Sequence, residues 1–250
     1  MKLPFKMITE TKSEDYRYKS FWDKEKETVE WLESFDEYNV FFDVGANVGV
    51  YSLYAAYLYP KSRIYAFEPV YTNYMRLLEN INLNLFDNII AMPFALSNQT
   101  GVSMMFINDS EAGKSGSQIE NPINDRGEIF QPIDKYPIST FRIDDFKFFN
   151  AFEPNHIKID VDGNEVLIVS GMIETLKKSC LKSVLIEINT HRERIIEMFI
   201  KAGFTMDNRF NQIKNHSRVR RQREGIQAEN IIFMRKGCLT AKDVKSGIMG

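Results

Sequence analysis

Hydrophobic and polar positions along the chain follow two periods. Short apolar runs rich in β-branched and aromatic residues recur at strand length, and longer stretches with helical spacing separate them. The run Val40–Val44 is apolar except for Asp43 and predicts a buried strand over 40–45. Gly45 and Gly49 then bracket a tight turn, and helix A follows over 48–59 with no Pro inside it. Pro60-Lys61-Ser62 makes the next turn. Arg63–Phe67 predicts a second strand, ending at Glu68-Pro69. Thr72 is placed to cap helix B, which runs to about Leu85 with Met75, Leu78 and Ile81 on its apolar face. Residues 88–96 predict a third strand. Strands and helices alternating in this way predict a βαβαβ unit and a parallel sheet.

The flanking thirds are less regular. Residues 1–20 are charged and aperiodic and read as a loose arm. Phe21, Trp22, Val29, Trp31, Leu32 and Phe35 recur mostly at helical spacing. They predict an amphipathic helix packed on the domain edge, with a lid over the site as the alternative role. After the third strand, Thr100–Ile107 alternates weakly and predicts a β-hairpin. Residues 108–128 are rich in Gly, Ser, Asn and Asp and read as a long loop of the kind that binds or covers a ligand. A short strand at 138–141 and a short acidic-capped helix at 143–149 follow. Alternation then resumes: strand four over 156–161, helices over 164–170 and 172–178, strand five over 183–188, a helix over 192–202, and strands at 204–206 and 230–234. No repeat and no second core are evident. The expected layout is an N-terminal arm and packing helix over 1–37, one α/β domain over 38–236, and a tail over 237–250.

Composition narrows the function classes. The 250 residues are 44% hydrophobic and 26% charged, which suits a globular protein with a sizeable core. A net charge of −2 gives no drive toward nucleic acid or an anionic membrane. Cys180 and Cys238 are far apart and lack metal-like spacing, which favours a reducing compartment. With neither a leader nor a membrane-length apolar run in view, a cytoplasmic location is expected.

The candidate chemistry begins at the glycine turn. Its spacing is G-x-N-x-G, not G-x-G-x-x-G, and the chain has no G-x-x-x-x-G-K-[ST]. Amides at the start of helix A are expected to meet a carboxylate or phosphate. Glu68, at the end of the neighbouring strand, is placed to accept hydrogen bonds from two ribose hydroxyls. Strand, glycine turn and acid together point to a ribose-bearing cofactor.

The runs FFDVGANVGVYSLYAA, IYAFEP, ALSN, STFRIDDF, IKIDVDGNEVLIVSG and LIEI resemble, in order, the FkbM family of S-adenosylmethionine-dependent methyltransferases. The resemblance covers roughly residues 38–235. It implies a Rossmann-like class I methyltransferase fold. That fold has a seven-stranded, mostly parallel sheet with an antiparallel last strand, helices on both faces, and a hairpin or loop insertion before strand four. It also implies roles. Asp43, Gly45, Ala46, Asn47 and Gly49 would surround the methionine part of S-adenosyl-L-methionine. Glu68 would hold the ribose, Pro69 would shape the turn beside the adenine, and Ala95 and Leu96 would line the adenine pocket. Ser117 would help cover the cofactor, and Asp160 would lie near the sulfonium and the acceptor. Asp162 stands where the family more often has Glu.

Methyl transfer requires an oxygen nucleophile in line with the methyl group and a group to take its proton. The ends of strands four and five offer Asp160, Glu187 and His191 as candidate catalytic residues, with Asp162 and Asn189 as substrate contacts. Asp160, Glu187 and Asn189 would also suit a divalent cation, but the resemblance does not demand one and no metal is assigned. The basic stretch 214–223 contains Arg218, Arg220 and Arg221, which suit an anionic group on the acceptor. The expected partner is a small-molecule or glycan acceptor. Nucleic acid and stable membrane insertion are not expected. The expected reaction is O-methylation of a hydroxyl on a sugar, glycan or secondary metabolite. The alternatives are a nicotinamide-dependent oxidoreductase and a non-catalytic cofactor-binding scaffold.

Overall fold

The computed structural model describes residues 2–124, 127–149, 153–188, 190–211 and 229–238. In chain order the elements are α1 (Lys12–Lys24), α2 (Lys26–Leu32), β1 (Val40–Val44), α3 (Val50–Leu58), β2 (Arg63–Phe67), α4 (Tyr71–Asn84), β3 (Ile89–Met92), β4 (Ala95–Leu96), β5 (Gly101–Ile107), β6 (Gln118–Ile119) and β7 (Asp134–Phe141). A 3₁₀ helix (Ile143–Phe149) comes next. The remainder is β8 (His156–Ile159), α5 (Glu165–Ser170), α6 (Ile173–Lys177), β9 (Ser183–Ile188), α7 (Arg192–Lys201), β10 (Phe204–Met206), α8 (Asn208–Asn211) and β11 (Glu229–Arg235).

Seven strands form the main sheet in the order β10-β11-β9-β8-β1-β2-β3. All neighbours are parallel except β11, which is antiparallel to both β9 and β10. Its central strands are apolar on both faces because helices cover both. Alternation sorts the side chains. Phe41, Ile64 and Ala66 face α1–α4, whereas Phe42, Val44, Tyr65 and Phe67 face the α5–α7 layer. The expected sheet, including its antiparallel last strand, is the one observed.

Several local expectations are corrected. Residues 1–20 are not a loose arm. Leu3, Phe5 and Met7 are buried in the α1–α4 layer, and α1 begins at a capping box in which Thr11 and Glu14 bond each other's backbone amides. The single helix expected from Phe21 is two helices, broken at Glu25 (φ −140°). Thr72 does not cap α4. The helix starts one residue earlier, and its N-cap position, Val70, makes no side-chain bond. The third strand splits at Pro93, which lacks the N–H needed to continue the ladder. Its first half stays in the main sheet and its second half, β4, joins another. The expected hairpin insertion is that second sheet, of order β4-β7-β5-β6, in which β5 pairs antiparallel with the distant β7 over its whole length. β7 begins at Asp134, earlier than expected. Residues 111–118 become an ordered strap. Its position is set by hydrogen bonds to α1, the glycine turn, α4 and Asp162.

The carboxyl ends of β9, β8, β1 and β2 lie side by side, so Glu187, Asp160, Gly45 and Glu68 emerge along one edge. This is where open α/β sheets bind ligands.

Candidate active site

The turn after β1 packs with little spare space. Gly45 has φ +79°, and a Cβ there would lie 1.9 Å from the carbonyl oxygen of Asp160. Gly49 has φ +92°, and a Cβ would lie 2.5 Å from Leu77 Cδ1. Only glycine meets both demands at these positions. The amides from Gly45 to Gly49 are all engaged within the protein, and helix α3 begins after them, at Val50. Gly45 and Ala46 donate to the Phe67 carbonyl at 3.0 Å, and Gly49 donates to Ala46 at 2.9 Å. Asn47 N–H donates to Glu68 Oε2 at 2.7 Å, and Val48 N–H donates to Asn47 Oδ1 at 2.9 Å. The left-handed Asn47 (φ 53°) folds the turn onto itself and onto β2.

Glu68 is buried. Besides Asn47, it accepts the Val70 N–H on Oε1 at 2.9 Å. Burial outweighs these bonds and the field of Arg17, and pushes its carboxyl up to about 7. The Asn73 side chain also acts on it as a donor, so its lone pairs are partly taken.

Beneath the turn lies a buried charge cluster. Asp43 and Lys158 are register partners on β1 and β8, so both point to the same face. Lys158 Nζ donates to Asp160 Oδ2 at 2.8 Å and lies 4.9 Å from the centre of the Tyr51 ring. Burial alone would lower the Lys158 ammonium, but Asp160, Asp43 and Glu25 outweigh it and raise it. Burial raises Asp43 even though Ser52 Oγ donates to it at 2.6 Å. Tyr51 OH donates to Glu25 Oε2 at 2.7 Å, and burial with Glu25 raises that phenol. Burial would also raise Glu25, but Lys24, 2.7 Å away, helps hold it at about 2.

An open polar cleft lies over this edge. Of the expected residues, Gly45, Asn47, Glu68, Pro69, Ser117, Asp160, Asp162 and Glu187 line it. It adjoins an apolar slot lined by Ala95 and Leu96 together with Phe67, Phe94 and Ile119. Asp43, Ala46 and Gly49 line neither; they build the turn from behind. His191 is exposed at the head of α7 and lines neither. Asn189, Arg218, Arg220 and Arg221 lie outside the described residues. His156 sits at the opposite end of the sheet, buried, stacked on Phe35 and bonded to Ser183 Oγ at 2.7 Å. Its role there is structural.

Asp160, Asp162 and Glu187 converge, with one oxygen from each within 4.8 Å of the others. Such oxygens suit a cation, whether a sulfonium, an ammonium or a hard metal ion.

Sequence reasoning missed the other wall. Arg17 and Lys24 of α1, Asn73 of α4 and Lys114 of the strap also line the cleft. The helix expected at Phe21 therefore both packs and walls the site. Arg17 Nε donates to the Gly113 carbonyl at 2.8 Å, and Thr11 Oγ1 donates to that of Ala112 at 2.8 Å. Asn47 and Asn73 donate to the Lys114 carbonyl at 2.7 and 3.1 Å. Asp162 Oδ2 accepts the Gly116 N–H at 2.8 Å. The capping-box pattern Thr11-x-x-Glu14 was the signal that could have revealed α1.

The chain's similarity to known proteins bears on this geometry. Residues 43–213 match the methyltransferase FkbM domain. The chain belongs to the FkbM methyltransferase family. S-adenosylmethionine is the cofactor of that family, which sets aside the nicotinamide alternative. The FkbM domain here is similar to the hexuronic acid methyltransferase AglP of Haloferax volcanii, at 26% identity over 63% of this chain and 59% of that protein. It is also similar to methyltransferase 1 of Beauveria bassiana, at 27% over 52% and 57% respectively. The chain spans little more than half the length of these curated relatives. Among solved structures, the FkbM methyltransferase of Methylobacillus flagellatus shares the fold at TM-score 0.50 and 14% identity, covering 80% of this chain and 44% of that one. The precorrin-6y C5,15-methyltransferase of Geobacter metallireducens does so at 0.50 and 13%, covering 94% and 95%.

The residues present fit S-adenosylmethionine. Glu68 offers acceptors for ribose hydroxyls, the apolar slot suits a flat base, and the acidic convergence suits a sulfonium. Among the described residues, no helix is long and apolar enough to cross a membrane.

Proposed function

We propose that this FkbM domain transfers a methyl group to a hydroxyl of a sugar, glycan or secondary metabolite. The observation that carries the reading is the convergence of Asp160, Asp162 and Glu187 beside a cleft whose far side holds Glu68 and the apolar slot. When bound, S-adenosylmethionine supplies an electrophilic methyl group. Glu68 binds the ribose hydroxyls and orients that group. Asp160, held by Lys158, keeps negative charge at the sulfonium end. Glu187 takes the acceptor hydroxyl proton. Asp162 holds the strap shut over the site. His191 plays no direct part, and no metal is needed. The similarity to a hexuronic acid methyltransferase makes uronic acids and their glycans the first acceptors to try.

The test is a screen of uronic-acid, neutral-sugar and amine acceptors with methyl-labelled S-adenosylmethionine in the presence of EDTA. Label is expected on a sugar oxygen. Glu187→Gln is expected to lower kcat at least about a hundredfold while leaving cofactor affinity unchanged. Transfer to amines only would overturn the acceptor class, and dependence on a divalent ion would overturn the metal-free mechanism. A chain that binds cofactor but modifies nothing would favour the scaffold reading.

A further inference from the structure

The backbone of the glycine turn is closed to anions, because every amide from Gly45 to Gly49 already has a partner in the protein. The cofactor nevertheless carries a carboxylate on its amino-acid end, and uronic-acid acceptors carry one too. Glu68, Asp160, Asp162 and Glu187 all repel such a group. The cleft must therefore meet it with side-chain cations. Among the described residues, the cations lining it are Arg17, Lys24 and Lys114.

Their surroundings differ. Lys114 stands on the exposed strap, 3.4 Å from Asp109. Arg17 is tied to the strap through Gly113 and lies toward the ribose end, where its field reaches Glu68. Lys24 lies at the other end of the same helix face, seven residues and about 10.5 Å along the axis. Its side chain is 22% exposed and its ammonium pairs with Glu25, leaving two of its three donors for a ligand. Glu25 accepts from Tyr51 OH, and the Tyr51 ring lies 4.9 Å from Lys158, the partner of Asp160, which puts Lys24 on the Asp160 side of the cleft.

We propose that Lys24 is the carboxylate-binding residue of this cleft, with Arg17 as the second cation on the same helix face. The proposal rests on the cofactor reading above. The carboxylate belongs either to the amino-acid end of the cofactor or to an acidic acceptor, and the chemistry of recognition is the same for both: an ammonium donating to a carboxylate in a partly buried site.

Calorimetry on the full chain separates the two sources. S-adenosylhomocysteine keeps the amino-acid end, and 5′-methylthioadenosine lacks it. If the carboxylate is the cofactor's, Lys24→Met weakens S-adenosylhomocysteine at least tenfold and leaves 5′-methylthioadenosine within twofold. If it is the acceptor's, S-adenosylhomocysteine is unchanged, and KM rises at least tenfold for a uronic acid but not for the matching neutral sugar. In either case Lys24→Arg restores most of the loss. Unchanged binding of both nucleosides together with an unchanged KM would overturn the proposal. So would equal weakening of both nucleosides, which marks a general structural defect. Wild-type protein that binds neither nucleoside would overturn the cofactor reading itself, before any variant is made.

Discussion

The two walls of the cleft are built in different ways. The sheet wall consists of strand ends and one turn. Gly45, Glu68 and Asp160 are anchored in the ladders of β1, β2 and β8, and their surroundings are buried. The helix wall consists of α1 and the strap 111–118. These meet through side-chain hydrogen bonds from Thr11 and Arg17 to the carbonyls of Ala112 and Gly113 and from Ser13 to the Glu111 carboxylate. The first wall is fixed by strand ladders that continue into the site. The second is held by side-chain hydrogen bonds worth about 1 kcal/mol each.

The largest effect is expected where the sheet wall is tightest. Gly45→Ala forces a side chain onto the Asp160 carbonyl at a positive φ, at a cost of roughly 3–5 kcal/mol. It should abolish S-adenosylhomocysteine binding and lower Tm by many degrees. A variant that melts and binds as wild type would show that the sheet wall is not fixed there.

Glu68 sharpens the comparison through pH. Its carboxyl ionises at about 7, and in the proposed role the ionised form is the stronger acceptor for ribose hydroxyls. Cofactor affinity should therefore be full near pH 8.5 and fall toward tenfold per unit below pH 7. Glu68→Gln should bind about 10–100-fold more weakly at pH 8 and lose that pH dependence. Calorimetric Kd values from pH 5.5 to 8.5 measure both. A slope that survives in Glu68→Gln would assign it to another group.

The smallest effect is expected at the helix wall. Thr11→Ala removes the cap of α1 and its bond to the strap. The expected loss is about 1–2 kcal/mol of stability and severalfold faster cofactor release, with chemistry unchanged. Stopped-flow release of S-adenosylhomocysteine reads this directly. A change in kcat without a change in release would place α1 in the chemistry instead.

The sheet wall was the more legible of the two in the amino-acid sequence. A short apolar run, two glycines at fixed spacing and an acid at the next strand end are local patterns, and local patterns report backbone geometry. Asp160 and Glu187 were legible for the same reason, as strand-end acids. Lys158 was not, because its partnership with Asp43 follows from strand register, which a single strand does not reveal. The second sheet was also hidden, since β5 pairs with a strand far along the chain.

The chain alone therefore determined the order of the main-sheet strands and the helices between them, the positions that only glycine can occupy, and the acids at the strand ends. These depend on period, chirality and steric limits within a few residues. Tertiary structure alone decided that the turn's amides face inward, that a charged N-terminal stretch becomes a wall with Arg17 and Lys24 on the cleft, and that Asp162 serves the strap. Each of these depends on hydrogen bonds and fields between residues far apart in sequence, whose partners exist only once the chain has closed around them.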